Sequence, residues 1–229
     1  HEGDVCMTFP MVIFSPFAGG GVTISFADSA ISTTNATTYS FTAQSTGTAS
    51  SDRVLIVGAV GRATVTSGTV SAITIDGAAA ATIVSVGADD TTNSRCANLR
   101  ALSFSTGTTA TIEVTFNRAM VRAGIGIWSM IGTNGATTVF GNNTATTANP
   151  TSAAVTIPAN GGAVGICFST DASGRVWTGL DEDFDDDLEG QSSSGAHKNV
   201  VTAESPATAS VDTGAGAFPV MVVASWGPA

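Results

Sequence analysis

The sequence predicts an all-β protein, an antiparallel, jelly-roll-like β-sandwich built from two similar halves behind an N-terminal extension. Of its 229 residues, 43% are apolar, only 11% are charged and 26 are glycine. Residues that favour strands and turns, such as Thr, Val, Ser and Gly, are common, whereas the helix formers Glu, Lys, Leu and Gln are scarce. Short apolar or alternating segments that end at turn residues follow one another along the chain.

The N-terminal part combines an apolar segment with two predicted strands. The segment Met7–Phe17 is apolar and three glycines follow shortly after it, and Val22–Phe26 and Thr38–Thr42 then alternate as strands do. We expect one or both of these strands to join the sandwich. An exposed apolar tail must dock somewhere, either on its own domain or as a strand added to a neighbouring subunit, and both destinations stay open. The predicted partner-binding residues of this arm are Phe9, Met11, Ile13, Phe14 and Phe17.

The next part of the chain carries the clearest strand patterns. The run Val54–Val60 is continuously apolar, as expected for a strand buried on both faces. The run Ala123–Ile131 is similar, and its glycines Gly124 and Gly126 leave room for a bulky side chain from a facing sheet or from a neighbouring subunit. Further strands are predicted at Ser71–Ile75, Ala81–Val86, Ala97–Phe104 and Thr111–Phe116.

The strand pattern then starts again, which indicates an internal repeat. After the polar stretch Gly132–Pro150, the segments Asn160–Phe168 and Phe218–Gly227 take the places of the two apolar strands above. We therefore expect an arm with the first strands over residues 1–48 and one sandwich over 49–229. Its halves, about 49–132 and 151–229, would each supply strands to both sheets. Two tandem small domains are the alternative.

Charge excludes one class of partner. The formal net charge is −10, and Lys198 and seven arginines are scattered singly along the chain. Nucleic-acid binding needs clustered cations that displace counterions from phosphates, so no nucleic-acid partner is expected. We also expect no membrane insertion, because no stretch reaches the roughly 18 apolar residues of a membrane helix.

The run Asp181–Gly190 holds the densest group of carboxylates. Carboxylate oxygens are the ligands that Ca²⁺ prefers, but the spacing is not that of an EF-hand. Two interpretations stay open, a loose calcium site and an acidic edge strand whose charges discourage edge-to-edge pairing. As a strand, the run would place Phe184 and Leu188 on the side opposite its alternate aspartates. The weak metal candidates are Asp181, Asp183, Asp185 and Asp187. No other cofactor is expected.

No residue pattern predicts catalysis. The two histidines are His1, which is terminal, and His197, which has no nucleophile motif around it. We therefore expect no enzymatic activity and assign no catalytic or cofactor-binding residues.

Tryptophans and cysteines are interpreted mainly as packing residues. Trp128 and Trp226 occupy comparable positions in the two halves, which favours a core role over a sugar-stacking one. Cys167 lies in an apolar run and is predicted to be a small buried hydrophobe. Cys6 is the best candidate for a bridge to another subunit.

Several phrases resemble a β-rich module of tailed-bacteriophage virion proteins. They are Ser51–Val57, Ile73–Ala78, Trp177–Leu180 with the acidic strand that follows, and Val222–Ala229. The resemblance covers the chain from about residue 50 to the end and brings no catalytic residues with it. Modules of this kind are similar to proteins that decorate capsids or build tails and fibres.

The resemblance implies a structural role in a virion. We expect a capsid decoration or cement protein that stabilises or coats the particle, located on the virion surface or outside the cell. Its partners would be other virion proteins and copies of itself as a homo-oligomer. The alternative is a tail or fibre component or a secreted carbohydrate- or receptor-binding module, calcium-dependent in one form, with a glycan as its ligand.

Overall fold

A computed structural model describes residues 20–146, 149–171, 174–214 and 218–229. These ranges form 17 β-strands in four antiparallel sheets and contain no helix, which confirms the predicted all-β class. Among the same residues there is accordingly no helix long and apolar enough to cross a membrane.

Nine strands belong to the first half of the chain and eight to the second. The first are β1 (Thr23–Ser32), β2 (Ala36–Ser45), β3 (Val54–Ala63), β4 (Val70–Ile75), β5 (Ala78–Ala79), β6 (Ala81–Asp89), β7 (Ser94–Ser103), β8 (Thr109–Met120) and β9 (Arg122–Ile131). The second are β10 (Val139–Ala145), β11 (Thr151–Ile157), β12 (Gly162–Ser169), β13 (Val176–Thr178), β14 (Asp181–Asp187), β15 (Ser192–Asn199), β16 (Glu204–Asp212) and β17 (Val220–Trp226).

Each half forms two sheets of its own. In the first half, the order β1-β9-β3-β7-β6 makes inner sheet 1, and β2-β8-β4-β5 makes outer sheet 1. In the second half, β10-β17-β12-β15-β14 makes inner sheet 2, and β11-β16-β13 makes outer sheet 2. Apart from β5, which has no counterpart in the second half, the strand orders of the two halves correspond, so the internal repeat predicted from the sequence is present in the fold.

The strands of each half pair in a nested order. In the first half, β1 pairs with β9, β2 with β8 and β3 with β7. In the second half, β10 pairs with β17, β11 with β16 and β12 with β15. First-with-last pairing, repeated inward and divided between two sheets, is the jelly-roll pattern. Each half is therefore a jelly-roll-like sandwich.

The four sheets stack as outer 1, inner 1, inner 2 and outer 2, with a separate hydrophobic core between each neighbouring pair. This differs from the prediction of one sandwich over 49–229 to which both halves contribute. Strands β1 and β2, which lie in the part predicted as the arm with the first strands, both join the first sandwich, as expected for one or both of them. The stretch Gly132–Pro150, predicted as a polar connection, contains β10. The halves are not independent domains either, because the inner sheets share the central core.

Burial on both faces explains the apolar runs. Inner sheet 1 packs against outer sheet 1 on one face and against inner sheet 2 on the other, so β3 is buried at nine of its ten positions. Every residue of β12 and β17 is buried as well. The prediction that Val54–Val60 is buried on both faces is thus confirmed.

Glycines make the central core possible. A Cβ added at Gly126 would lie 2.5 Å from the Phe184 ring and 2.7 Å from the Trp128 ring. Gly195 of β15 faces the same two rings, and a Cβ there would collide with Phe184 as well. Gly58 likewise gives space to Ile166 of the opposite sheet, 2.8 Å from an added Cβ. The expectation that the glycines of β9 admit bulky side chains from the facing sheet is confirmed for Gly126, whereas an added Cβ on Gly124 would meet the small side chain of Ser193 at 2.7 Å.

One end of the molecule, which we call the N/C end, gathers both ends of the described chain. The Val22 amide donates to the Asn160 carbonyl at 2.8 Å, and the Ala229 amide donates to the Gly132 carbonyl at 3.1 Å. A Cβ on Gly132 would lie 2.5 Å from the Gly21 carbonyl oxygen. The same end carries the loops 46–53, 104–108, 132–138, 158–161 and 200–203.

Polar contacts from the second half protect the edge of inner sheet 1. The Asn199 side chain accepts a hydrogen bond from the Ile24 amide and donates one to the Ile24 carbonyl, both at 2.8 Å. This amide occupies the outward-facing backbone groups of edge strand β1 as a neighbouring strand would. The start of β1 is therefore closed to a further strand.

We expect Gly126→Ala to destabilise the fold by about 1–3 kcal/mol, because the new methyl group overpacks the space that Phe184 fills. The double variant Gly126→Ala/Phe184→Leu should recover part of the loss. The matched control is Gly87→Ala, where the nearest atom would be 3.5 Å from the added Cβ. Urea unfolding of the three variants tests this expectation, and equal stabilities of Gly126→Ala and Gly87→Ala would contradict it.

Candidate functional site

The acidic run forms strand β14 at the edge of inner sheet 2. It pairs with β15 on one side only, and its position agrees with the interpretation as an acidic edge strand. The side chains of Phe184 and Leu188 point into the central core, where they are 8% and 0% exposed. The carboxylates therefore stand on a strand that the core anchors firmly.

A β-bulge between Glu182 and Phe184 changes the direction of the aspartate side chains. Strict alternation would have placed the four candidate aspartates on one side and Phe184 on the other. Instead Asp183 and Phe184 both contact Trp128, the first by a hydrogen bond and the second with ring centroids 6.1 Å apart. The expectation of four aspartates on one face is wrong, because the bulge turns Asp183 towards the core.

Asp183 joins the two halves of the protein. Its carboxylate accepts a 2.7 Å hydrogen bond from Nε1 of Trp128, which belongs to β9. The Nδ1 atom of His197 on the neighbouring strand lies 2.8 Å from the other carboxylate oxygen. The Asp183 side chain is only 7% exposed. This buried carboxylate is the hydrogen-bond partner of both an indole N–H and an imidazole. Its role is therefore structural, since removing it would leave these two polar groups without that partner.

Of the other three candidate aspartates, two accept hydrogen bonds from nearby backbone amides. Asp185 accepts a hydrogen bond from the Arg175 amide at 2.7 Å, and Asp187 accepts one from the Gly190 amide at 2.8 Å in the turn after β14. Asp181 is exposed. Within the four described ranges, no three His, Cys, Asp or Glu side chains converge as metal ligands would. The weak metal candidates are thus not brought together.

Asp186 faces the first half of the chain at the place where β14 lies beside β1. Burial raises the pKa of its carboxyl group, the negative charges of Asp185 and Asp28 raise it further, and a hydrogen bond from Ser29 opposes the rise. Its buried Oδ2 atom has no hydrogen-bond partner. The sequence did not single out this residue, because only the packing of the two inner sheets brings Asp28 and Ser29 beside it.

The tryptophans lie in the hydrophobic cores. Trp128 and Trp226 are 0% exposed and Trp177 is 7% exposed, so none of them offers a ring face for sugar stacking. Trp177 donates from Nε1 to the Ser194 hydroxyl at 2.8 Å. The predicted core role of Trp128 and Trp226 is confirmed.

The two described cysteines are buried free thiols, Cys96 and Cys167. Burial raises the pKa of each thiol to about 12, so both stay protonated in neutral solution. The interpretation of Cys167 as a small hydrophobe is confirmed. Cys6, predicted to bridge to another subunit, lies outside the described residues.

The predicted arm, with Phe9, Met11, Ile13, Phe14 and Phe17, also lies outside the described residues. The described part of the chain starts at Gly20, at the N/C end. Four surface cavities of the described residues open at this end, with volumes of about 330, 200, 310 and 200 Å³. The largest lies between the start of β1 and the loop 47–50, and its lining is uncharged. This cavity is a second candidate site.

A buried arginine that the sequence did not reveal holds the loops beside this cavity. Arg53 is 1% exposed and donates to five backbone carbonyls, those of Thr46, Gly47, Phe104, Thr106 and Gly107. All five N–H groups of the guanidinium are used in this way. Burial lowers the pKa of Arg53. Its signal in the sequence is weak, since one arginine before an apolar run is common at strand starts.

No protein-family model matches the chain, and no curated protein matches it.

We expect Asp183→Ala to lower the free energy of unfolding by about 2–4 kcal/mol, because the buried indole of Trp128 and the ring of His197 lose their acceptor. The exposed neighbour Asp181 supplies the control, Asp181→Ala. Thermal unfolding of both variants is the measurement. If the two substitutions have the same small effect, Asp183 does not link the halves.

Asp186→Asn should stabilise the protein at neutral pH by less than about 1 kcal/mol, since solvent screens this half-exposed group. When the pKa of a carboxyl group is raised in the folded state, the free energy of unfolding falls as pH rises from the unfolded pKa of the group, roughly 3.9, through its folded pKa. The gain should therefore vanish near pH 3. Unfolding midpoints between pH 3 and pH 7 test this, with Asp181→Asn as control. A gain of the same size at pH 3 would contradict the raised pKa.

Proposed function

We propose that the chain is a non-enzymatic structural protein of a bacteriophage virion, most specifically a capsid decoration or cement protein. Its support is the stack of two jelly-roll-like sandwiches, an architecture that viral capsid domains use. A fold alone does not determine a function, so the surfaces must carry the proposal.

The main support for a capsid decoration protein comes from the outer faces of the stack. On outer sheet 1, Thr38 stands beside Thr115, and Ser40 and Thr74 flank Glu113. On outer sheet 2, the corresponding rows hold Ser152, Ala154, Thr178, Thr208 and Ser210. These faces are broad and nearly uncharged, and their small side chains lose little rotamer entropy when a partner covers them. Such surfaces suit extended contact with other subunits.

The partners of this proposal are other virion proteins and further copies of the chain. The phage-like phrases described above support the same assignment. The net charge of −10 favours a basic patch on the partner surface. The protein would accordingly lie on the virion surface.

The alternative is a tail or fibre component, or a carbohydrate- or receptor-binding module. Lectin domains also use the jelly roll, which is the observation that keeps this alternative. Its other supports are weaker than the sequence suggested, because the tryptophans are buried and the acidic strand holds local backbone groups. A glycan array with and without chelator is its test, and chelator-sensitive binding would favour this alternative.

A decoration protein should be present on purified particles in a defined ratio to the major capsid subunit. The measurement is quantitative mass spectrometry of virions together with cryo-electron microscopy of antibody-labelled particles. Purified chain added back to stripped shells should rebind and raise their resistance to heat and low salt. If the chain fails to bind shells but binds host cells, a tail or receptor role replaces the decoration role.

A further inference from the structure

We infer that the N/C end is the docking site of the chain's own apolar segment, Met7–Phe17. The sequence leaves two destinations for this segment, its own domain or a neighbouring subunit. The described surface at the N/C end favours the first, on grounds of its cavities, its charge and the reach of the chain. The inference goes beyond the proposed function and does not depend on it.

Exposed apolar side chains surround the point where the described chain starts. Val201 is 82% exposed, Phe140 57% and Ile131 37%, and each belongs to the N/C end. Val201 lines the same cavity as Gly21 and Val22. Phe140 lines a second cavity together with Pro228, and Ile131 lines the largest one. Exposed apolar side chains also lie at the opposite end of the strands, those of Ile31, Val65, Val176 and Phe218, so the cavities and the reach of the chain must decide between the two ends.

The largest cavity and the segment Met7–Phe17 resemble each other in that neither contains a charged residue. Its lining consists of hydroxyl, glycine and apolar residues, and Phe26 and Ile131 are the large apolar residues among them. The segment Met7–Phe17 also contains no charged residue. An uncharged segment can enter an uncharged groove without stripping water from an ion, so the apolar contact is not opposed by desolvation of a charge.

The covalent connection favours the chain's own segment over that of another copy. Phe17 precedes Gly20 by three residues, a reach of at most about 11 Å in an extended chain. A tether this short gives the segment a high effective concentration at its own N/C end. Strand addition at the start of β1 is closed, because Asn160 and Asn199 already bind the backbone of Val22 and Ile24. The cavities are the surface that remains.

Photo-cross-linking of the full-length chain tests the inference. The variants Val201→p-benzoylphenylalanine and Phe140→p-benzoylphenylalanine place the reagent at exposed positions of the N/C end, where folding tolerates it. Matched controls carry it at Val65 and Val176, which are 49% and 62% exposed at the opposite end of the strands. An equal mixture of isotopically light and heavy chains distinguishes cross-links within one chain from those between chains.

We expect mass spectrometry to find cross-links from positions 201 and 140 to peptides of residues 7–17 of the same chain, at least five-fold more often than from the controls. Phe14→Ser with Phe17→Ser should reduce their yield. Mixed light–heavy cross-links would assign the segment to a neighbouring copy and overturn the inference. Equal yields from the control positions, or no cross-link to residues 7–17, would overturn it as well. None of these outcomes depends on binding to particles.

Discussion

The structure depends on one constraint, the burial of the two inner sheets on both faces. Inner sheet 1 and inner sheet 2 share the central core, and each also covers an outer sheet. Strands β3, β12 and β17 must therefore be apolar on both sides. Close approach of the inner sheets requires glycine where a ring crosses, as at Gly126 and Gly195 around Phe184. Three thin cores in series thus stabilise a chain that is rich in small residues.

Polar groups complete the packing at the seam where the edges of the inner sheets meet. Asn199 binds the backbone of Ile24, Asp183 binds Trp128, and Arg122 donates to the Leu188 carbonyl. Each contact joins one half to the other. The acidic strand is part of this seam, and its carboxylates serve backbone and core partners. The same feature that resembles a cation site in the sequence is therefore a structural edge.

Local patterns predicted elements well and their assembly less well. The run Val54–Val60 and the alternation of Thr111–Phe116 predicted strands that the structure confirms. The alternation in β1 and β2 predicted strands that join a sandwich, but it did not predict which sheet each strand joins. Pairing partners lie up to about a hundred residues away, as for Thr23 and Ile131, and no local pattern encodes them. The bulge at Asp183 was also missed, because a register shift depends on the facing strand.

The sequence by itself determined the all-β class, the internal repeat, the apolar strands and the buried roles of Trp128, Trp226 and Cys167. These follow from side-chain polarity and period, which are local properties. Only the tertiary structure decided that each half closes its own sandwich, that Asp183 turns inward, and that the N/C end gathers its cavities. Those features arise where segments distant in sequence meet, because there the contacts across sheets decide which way each side chain points.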